Sequence, residues 1–362
     1  MAAILKFIRT NPLSLLVLAL PLAVLAEILD FGMVWVFIFS AVGVIPMAQF
    51  IGKATESLAV YTGPRVGGLL NATLGNAAEL IITLVAVRAG LLELVKASIT
   101  GSIIGNLLLV LGFSIFAGGL KNGLQKFDRR HLGNYTILLA LSIVAMVIPS
   151  LFSHSIGPDE SFGVEALTLG VAVIMIVLYA AGLIYTFKTP HSPLSVDLTV
   201  AEPHNGHMNK TRAIILLVFS TLGVVILSEL LVGAVETVVV DWGVSEFFLG
   251  IILIPLIGNV AEHLVAVTAA ARNHMDLSIE ISVSSSLQIA LFVAPLIVFI
   301  SLAMGHPLTL IFNQFELLAL GGSVAVAILV AADGESNWLE GAALLAVYLI
   351  LGIAFFLLPT VV

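Results

Sequence analysis

Long apolar runs separated by short polar segments fill this chain from residue 13 to residue 358. A helix needs about 20 mainly apolar residues to cross the hydrocarbon core of a bilayer, and most of the runs have about that length. Each run therefore predicts a membrane-spanning helix. The predicted helices, eleven in all, cover residues 13–28, 34–52, 67–89, 95–117, 132–151, 163–185, 213–238, 246–271, 277–304, 312–331 and 338–358.

The composition agrees with this pattern. Hydrophobic residues make up 60% of the chain and charged residues 10%, and the mean hydropathy is +1.17, which is typical of a protein solvated mainly by lipid. We therefore predict an all-α polytopic membrane protein embedded in a lipid bilayer. The absence of cysteine excludes a disulfide framework, a thiolate metal site and a cysteine nucleophile. No feature indicates a nucleic-acid partner or a cofactor, and the sequence leaves the oligomeric state open.

The distribution of basic residues predicts the orientation. Of the 14 Lys and Arg residues, twelve fall on the side of the amino terminus, and only Arg88 and Lys96 fall on the other. Lys and Arg accumulate in cytoplasmic loops. The amino terminus is therefore predicted to be cytoplasmic, and we expect the cell membrane as the location.

Two stretches of the chain are versions of one another. Residues 75–79 read Gly-Asn-Ala-Ala-Glu, and residues 258–263 read Gly-Asn-Val-Ala-Glu-His. Matches on either side, such as residues 102–106 with residues 284–288, extend the similarity to predicted helices two to six and seven to eleven. Five is an odd number of crossings, so the second copy must enter the membrane inverted, which is a transporter architecture.

This repeat predicts the organisation of the chain. An extra amino-terminal transmembrane helix (1–31) precedes the first five-helix repeat (32–186), and a cytoplasmic linker (187–212) joins it to the second, inverted five-helix repeat (213–362).

Each motif carries a carboxylate inside an apolar run. An ionisable residue within the membrane is costly and usually marks an ion or proton pathway. Asn76 and Glu79 are three residues apart, as are Asn259 and Glu262, so each amide shares a helix face with its carboxylate. Gly75 and the second motif's Gly258 and Pro255 are expected to break their helices and free backbone carbonyls. Further oxygen atoms follow at helical spacing, from Ser98, Ser102 and Asn106 and from Ser284 and Gln288, beside Ser282, Ser285 and Ser286.

This set of oxygen donors favours a hard divalent cation such as Ca²⁺, which takes six to eight oxygen ligands. Burial favours the protonated form of a carboxylate, whereas a bound cation favours the ionised form. Protons and Ca²⁺ are therefore expected to compete for Glu79 and Glu262. If the two halves rearrange only when the site is neutralised, the result is antiport.

The paired motifs resemble the two signature repeats of the calcium/proton exchanger family, within the calcium/cation antiporter superfamily. The resemblance extends from about residue 34 onward. It implies a secondary active transporter that exchanges Ca²⁺ for H⁺ by alternating access, with Ca²⁺ as the transported ion. By the resemblance, the essential carriers of cation and protons are Glu79 and Glu262, surrounded by Asn76, Asn259, Ser102, Asn106, Ser284 and Gln288.

Other polar residues have weaker assignments. His263 is a candidate proton relay or a packed interior histidine. Glu56 and Glu236 are duplicated too, and are candidates for carboxylates at cavity mouths or for ordinary solvated groups. Glu280 and Glu316 fall near predicted helix ends, where we expect unremarkable charges.

Alternatives of other classes remain. Sodium/calcium exchangers typically carry Gly-Thr-Ser-x-Pro-Glu and often an Asp on the helix after the second motif, where this chain has Gln288; the neutral amide favours protons as the counter-ion. A cation channel stays open, because carboxylates also line pores. An enzyme is not expected: Glu262-His263 lacks the His-Glu-x-x-His spacing of a zinc protease, and there is no phosphate-binding loop.

Overall fold

The structure is a computed structural model, and it describes residues 12–62, 64–158, 161–188 and 208–358. The first eleven residues and most of the predicted linker lie outside these ranges. A 3₁₀ segment (Pro12–Leu18) leads into the first helix. The helices are α1 (Ala19–Ile28), α2 (Met33–Thr62), α3 (Pro64–Leu74), α4 (Ala77–Arg88), α5 (Leu92–Asn122), α6 (Arg129–Ile156), α7 (Phe162–Lys188), α8 (Lys210–Gly233), α9 (Val235–Trp242), α10 (Glu246–Ala271), α11 (Met275–Ala303), α12 (Gln314–Ala331) and α13 (Trp338–Leu357).

Within the described ranges, eight of these helices are long and apolar enough to cross a membrane, namely α2, α5, α6, α7, α8, α10, α11 and α13. Two apolar stretches, Leu15–Ile28 and Gln314–Val330, are shorter. The multi-pass helical character predicted from hydropathy is thereby confirmed. Helix α2 continues ten residues past its predicted end at residue 52, to Thr62.

The first motif lies at a break between helices. Helix α3 ends at Leu74 and α4 begins at Ala77, with Gly75 and Asn76 forming the turn between them. The second motif lies inside α10, which continues as helix through Pro255 and Gly258. The predicted break at the first motif is confirmed, and the predicted break at the second is wrong. Pro255 is tolerated because it lies in the first turn of the α-helical stretch that follows a π-helical segment. In a first turn the backbone N–H groups have no partner within the α-helix, so the missing N–H of proline costs no hydrogen bond there.

Three of the long helices contain π-helical segments. They occupy Gly105–Val110 in α5, Leu249–Leu253 in α10 and Ile289–Val293 in α11. Such segments are rare and occur often at functional sites, because the extra residue per turn re-aims the side chains around them. The segment of α5 contains Asn106, the last residue of its predicted polar row, and the segment of α11 follows directly after Gln288.

Glycines allow α5 and α10 to cross closely. A Cβ atom placed on Gly101 would lie 2.1 Å from the Ile251 carbonyl oxygen, and one on Gly250 would lie 2.7 Å from the Ala97 Cβ. Small residues let helices approach in this way inside a membrane. The first half of α5 is therefore held against the π-helical segment of α10.

Helices from the two halves of the chain pack on one another. Helix α2 packs along α8, the carboxyl-terminal part of α5 packs on α13, and that of α11 packs on α7. At one end of the bundle, β1 (Gln125–Lys126) pairs antiparallel with β2 (Glu335–Ser336). This ladder, with a 3.0 Å ion pair between Lys126 and Glu335, ties the α5–α6 loop to the α12–α13 loop.

Candidate cation-binding site

Glu79 lies in the first turn of α4, directly after the helix break, and its side chain is buried, with 4% exposed. A carboxylate in this position interacts favourably with the N-terminal end of the helix dipole. Among the described residues, its Oε1 atom has no hydrogen-bond partner. Buried polar atoms are nearly always satisfied, so this oxygen is available to bind a ligand.

Glu262 lies within α10 and is half-buried. Its Oε2 atom accepts a hydrogen bond of 2.8 Å from the Ser285 hydroxyl on α11. A hydrogen bond to a carboxylate is short and strong, and it fixes the orientation of the group. Ser285 therefore positions the second motif's carboxylate.

The same serine connects the two motifs. The Ser285 hydroxyl also lies 3.3 Å from the Asn76 Oδ1 atom, and the Asn76 Nδ2 atom donates a 2.8 Å hydrogen bond to the Gln288 Oε1 atom. A chain of polar contacts thus runs from Glu262 through Ser285 and Asn76 to Gln288. The helix break of the first motif is what allows Asn76 to reach α11.

The two glutamates face one another across α4 and α10. A Cβ atom placed on Gly258 would lie 3.2 Å from the Glu79 Oε1 atom, so this carboxylate contacts α10 one turn before Glu262. Gly258 and Glu262 are four residues apart, so Glu79 contacts the face of α10 that carries Glu262. Two negative charges confined in this way match one divalent cation.

Other predicted residues surround this centre. A narrow cleft beside it is lined by Ser102, Asn259 and His263, together with the α13 residue Tyr348. The Nδ2 atoms of Asn106 and Asn259 and the Nε2 atom of His263 are buried and have no partner among the described residues. Each of these groups can turn toward water or toward a cation's hydration shell.

Three other predicted residues are more exposed. Ser284 is half-buried, one position before the serine that contacts Glu262. Glu56 on α2 and Glu236 on α9 are exposed. The sequence places Ser285 only beside the predicted site residues, because four serines lie between 282 and 286 and only the rotation of α11 decides which one faces Glu262.

Two helix-end carboxylates contradict the expectation that they are unremarkable. Glu316 lies in the first turn of α12 and is buried, because α12 packs on α5. One of its oxygens accepts a 2.9 Å hydrogen bond from the Asn313 backbone N–H, and the other accepts a 3.0 Å hydrogen bond from the Thr100 hydroxyl. Glu280 on α11 is buried against α6, where the Tyr135 hydroxyl lies 3.4 Å from its Oε1 atom. Neighbouring helices cover both side chains.

The donor set consists of oxygens and amides. In the part of the chain that the structure describes, no three His, Asp or Glu side chains gather into a compact metal cluster. Paired carboxylates with amide and hydroxyl oxygens suit a hard cation that keeps part of its water shell. A bundle of apolar helices that brings a buried and a half-buried carboxylate to one place is typical of membrane transport proteins for ions.

The chain belongs to the sodium/calcium exchanger protein family, whose model matches residues 32–188 and 212–357. The family resemblance drawn from the two motifs is confirmed. Among curated proteins, the chain is 41% identical over 361 residues to a Ca²⁺/H⁺ antiporter of Aphanothece halophytica, covering 96% of each chain. It is 43% identical over 344 residues to the Ca²⁺/H⁺ antiporter ChaA of Bacillus subtilis (strain 168), covering 93% of this chain and 96% of that one.

Solved structures give the same result. The structure of native YfkE matches with a TM-score of 0.83 at 41% identity, over 96% of this chain and 100% of the other. The H⁺/Ca²⁺ exchanger CAX matches with a TM-score of 0.72 at 16% identity, over 96% of this chain and 92% of the other, and shares the fold.

Proposed function

We propose that this protein is a secondary active transporter that exchanges Ca²⁺ for H⁺ across a membrane. The curated relatives that match almost its whole length are Ca²⁺/H⁺ antiporters at 41% and 43% identity. The observation that carries the proposal is the pairing of Glu79 and Glu262 between α4 and α10, with one buried Glu79 oxygen left without a hydrogen-bond partner.

In this proposal the two glutamates bind either one Ca²⁺ ion or protons. Two ionised carboxylates neutralise the charge of Ca²⁺, and protonation neutralises them when the ion has left. Asn76, Asn259 and Gln288 supply amide oxygens, and Ser102, Asn106 and Ser284 lie on the helices that flank the site. His263, beside Glu262 and facing the cleft, is the proposed proton relay.

The proposed architecture has eleven crossings in two inverted repeats. The long helices, α1, α12 and the broken pair α3–α4 together make eleven. Three observations support the repeat: the family model matches in two separate stretches, α5 and α11 both carry a π-helical segment at the end of a polar row, and the packing of α5 on α13 corresponds to the packing of α11 on α7. Alternating access then follows from movement of one half against the other.

The proposed topology places the amino terminus in the cytoplasm and the protein in the cell membrane. Lys121, Lys126 and Arg272 mark the end of the bundle at which the β1–β2 ladder lies. An excess of Lys and Arg is typical of cytoplasmic loops, so this end is assigned to the cytoplasm.

The decisive experiment is Ca²⁺ uptake into proteoliposomes under an imposed pH gradient. Native protein, Glu79→Gln, Glu262→Gln and the control Glu335→Gln are compared, since Glu335 lies on the surface ladder away from the site. We expect proton-driven uptake in the native protein and the control and none in the two site variants. Uptake driven only by a Na⁺ gradient would indicate a sodium/calcium exchanger, and uncoupled Ca²⁺ current would indicate a channel.

A further inference from the structure

The asparagines of the two motifs differ in the partners of their side-chain nitrogen atoms. In the first motif, the Asn76 Nδ2 atom donates a 2.8 Å hydrogen bond to the Gln288 Oε1 atom. The two atoms of an amide turn together, so this bond also fixes the direction of the Asn76 Oδ1 atom, which lies 3.3 Å from the Ser285 hydroxyl. In the second motif, the Asn259 Nδ2 atom is buried and has no partner among the described residues. No hydrogen bond of this nitrogen therefore fixes the second amide.

The counterpart of Gln288 does not supply the missing bond. With the offset of 182 that aligns residues 102–106 with residues 284–288, Gln288 corresponds to Asn106 on α5. The Nδ2 atoms of Asn106 and Asn259 are both buried and without a partner among the described residues, so these two side chains do not bond each other. Asn259 is only 2% exposed, and buried N–H groups are nearly always paired. We therefore looked for an acceptor elsewhere around Asn259.

The narrow cleft between α5, α10 and α13 supplies two hydroxyl groups, from Ser102 and Tyr348, beside Asn259. A hydroxyl can accept a hydrogen bond from an amide N–H and still donate its own proton. Ser102 already belongs to the predicted cation ligands, and His263, the remaining polar residue of the cleft, is the proposed proton relay. Tyr348 has no such role, is 8% exposed, and makes no hydrogen bond with the described residues. The Tyr348 hydroxyl is thus a free acceptor in the cleft that contains Asn259.

Close packing of α13 on α5 fixes the position of Tyr348. A Cβ atom placed on Gly112 would lie 3.1 Å from the Leu344 Cβ atom, and one on Gly341 would overlap the backbone nitrogen of Phe116. Leu344 precedes Tyr348 by about one turn of α13. Contacts this close prevent α13 from sliding along α5. The phenol is therefore held beside the cleft at a set depth in the bundle.

We propose that Tyr348 is a positioning residue for Asn259: its hydroxyl accepts a hydrogen bond from the Asn259 Nδ2 atom when the cation binds, and this bond turns the Asn259 Oδ1 atom toward the ion. The inference rests on the proposed exchange of Ca²⁺ for protons. Tyr348 on α13 then has the part that Gln288 on α11 has for Asn76 in the first motif. A ligand that is held in place loses less side-chain freedom when the ion binds, so it contributes more to affinity.

The test combines calorimetric Ca²⁺ binding to the purified protein with proton-driven uptake into proteoliposomes. Tyr348→Phe keeps the ring and removes only the hydroxyl. We expect the Kd and the KM for Ca²⁺ to rise about threefold to tenfold, the effect of one lost hydrogen bond, and the maximal rate to stay near the native value. The thermal midpoint without added Ca²⁺ should not fall, because the hydroxyl makes no hydrogen bond with the described residues. The increase of the midpoint on addition of Ca²⁺ should be smaller than in the native protein.

Tyr179→Phe on α7 is the matched control. The Tyr179 hydroxyl is also buried and without a partner among the described residues, but its ring stacks on Phe292, and neither residue lines the cleft. Its removal should leave the Kd and the KM for Ca²⁺ at native values.

Three results would overturn the inference: a native Kd in Tyr348→Phe, an equal rise of the Kd in Tyr179→Phe, or a lower thermal midpoint of Tyr348→Phe without Ca²⁺, which would make the role of the hydroxyl structural. Absence of proton-driven uptake in the native protein would instead overturn the proposed function, so the two failures are distinguishable.

Discussion

The two motifs have nearly the same sequence but occupy different backbones. In the first, Gly75 and Asn76 form a turn that separates α3 from α4, and Glu79 follows in the first turn of a new helix. In the second, Gly258 and Asn259 continue within α10, and Glu262 lies inside the helix. The irregularity of the second motif lies upstream, in the π-helical segment Leu249–Leu253. Similar local sequences thus place their carboxylates in different surroundings.

The surroundings differ in hydrogen bonding as well. Glu262 accepts a hydrogen bond from Ser285, whereas the residue of the first repeat that corresponds to Ser285 is the buried Ile103. The Oε1 atom of Glu79 is left without a partner among the described residues. Under the proposed function, Glu79 therefore depends more on the transported ion for its stabilisation, whereas Glu262 is held in place by Ser285.

The largest loss of transport is expected when either of the two carboxylates is replaced. Glu79→Gln and Glu262→Gln should each lower transport at least about hundredfold, since truncating one member of an interacting set of charges costs about 3 kcal/mol or more. Measured by calorimetry, Ca²⁺ binding should be lost in both variants.

The thermal stability of the same two variants without Ca²⁺ tests the difference between the surroundings of Glu79 and Glu262. Glu79→Gln should raise the thermal midpoint of the ion-free protein more than Glu262→Gln, because it removes the less satisfied charge. An equal change for the two variants would contradict the difference between the motifs.

Gly258 tests the contact between the motifs. A methyl group on Gly258 would lie 3.2 Å from the Glu79 Oε1 atom, closer than ordinary van der Waals contact. Gly258→Ala should therefore displace this carboxylate and weaken Ca²⁺ affinity about tenfold, an energy of about 1.4 kcal/mol.

The control for this change is Gly321→Ala on α12, where a Cβ atom meets no neighbour within 4 Å. It should leave Ca²⁺ affinity at the native value. A native affinity in Gly258→Ala would show that Glu79 does not need its present position against α10.

The serine of the second motif should show a smaller effect. Ser285→Ala removes the 2.8 Å hydrogen bond to Glu262, and a hydrogen bond to a charged group contributes about 1.5–3 kcal/mol. Solvent near this half-buried carboxylate compensates in part, so we expect a loss of Ca²⁺ affinity of about fivefold. Ser284→Ala, the adjacent control, should change affinity less than about twofold, and the reverse order would show that α11 is rotated by one residue.

The smallest effect is expected for Glu316, a buried carboxylate that contacts the first half of α5, at the opposite end of that helix from the β1–β2 ladder. Its oxygens cap α12 and bind Thr100, so its role is structural. Glu316→Gln should reduce stability by about 1 kcal/mol, the value of a helix cap, and leave the KM for Ca²⁺ unchanged. Thermal unfolding in detergent and vesicle uptake measure the two quantities, and a raised KM would assign Glu316 to the transport path.

Much of the site could be predicted because it is encoded locally. Hydropathy identifies the long helices, since a bilayer requires long apolar runs, and the duplicated Gly-Asn-x-Ala-Glu identifies Glu79 and Glu262. The spacing of polar residues along single helices also identified Asn76, three residues before Glu79, and Gln288, four residues after Ser284. The structure joins Asn76 and Gln288 by a hydrogen bond. These features depend on residue type and on spacing along one helix.

The tertiary structure decided what depends on neighbouring helices. Packing keeps α10 helical through Pro255 and Gly258, rotates α11 so that Ser285 faces Glu262, and buries Glu280 and Glu316. The physical reason is that a helix can rotate about its axis or bend at little intrinsic cost, whereas contacts with other helices select one rotation and one break. The sequence by itself thus determined the helices and the paired carboxylates, and only their packing determined the partners of those carboxylates.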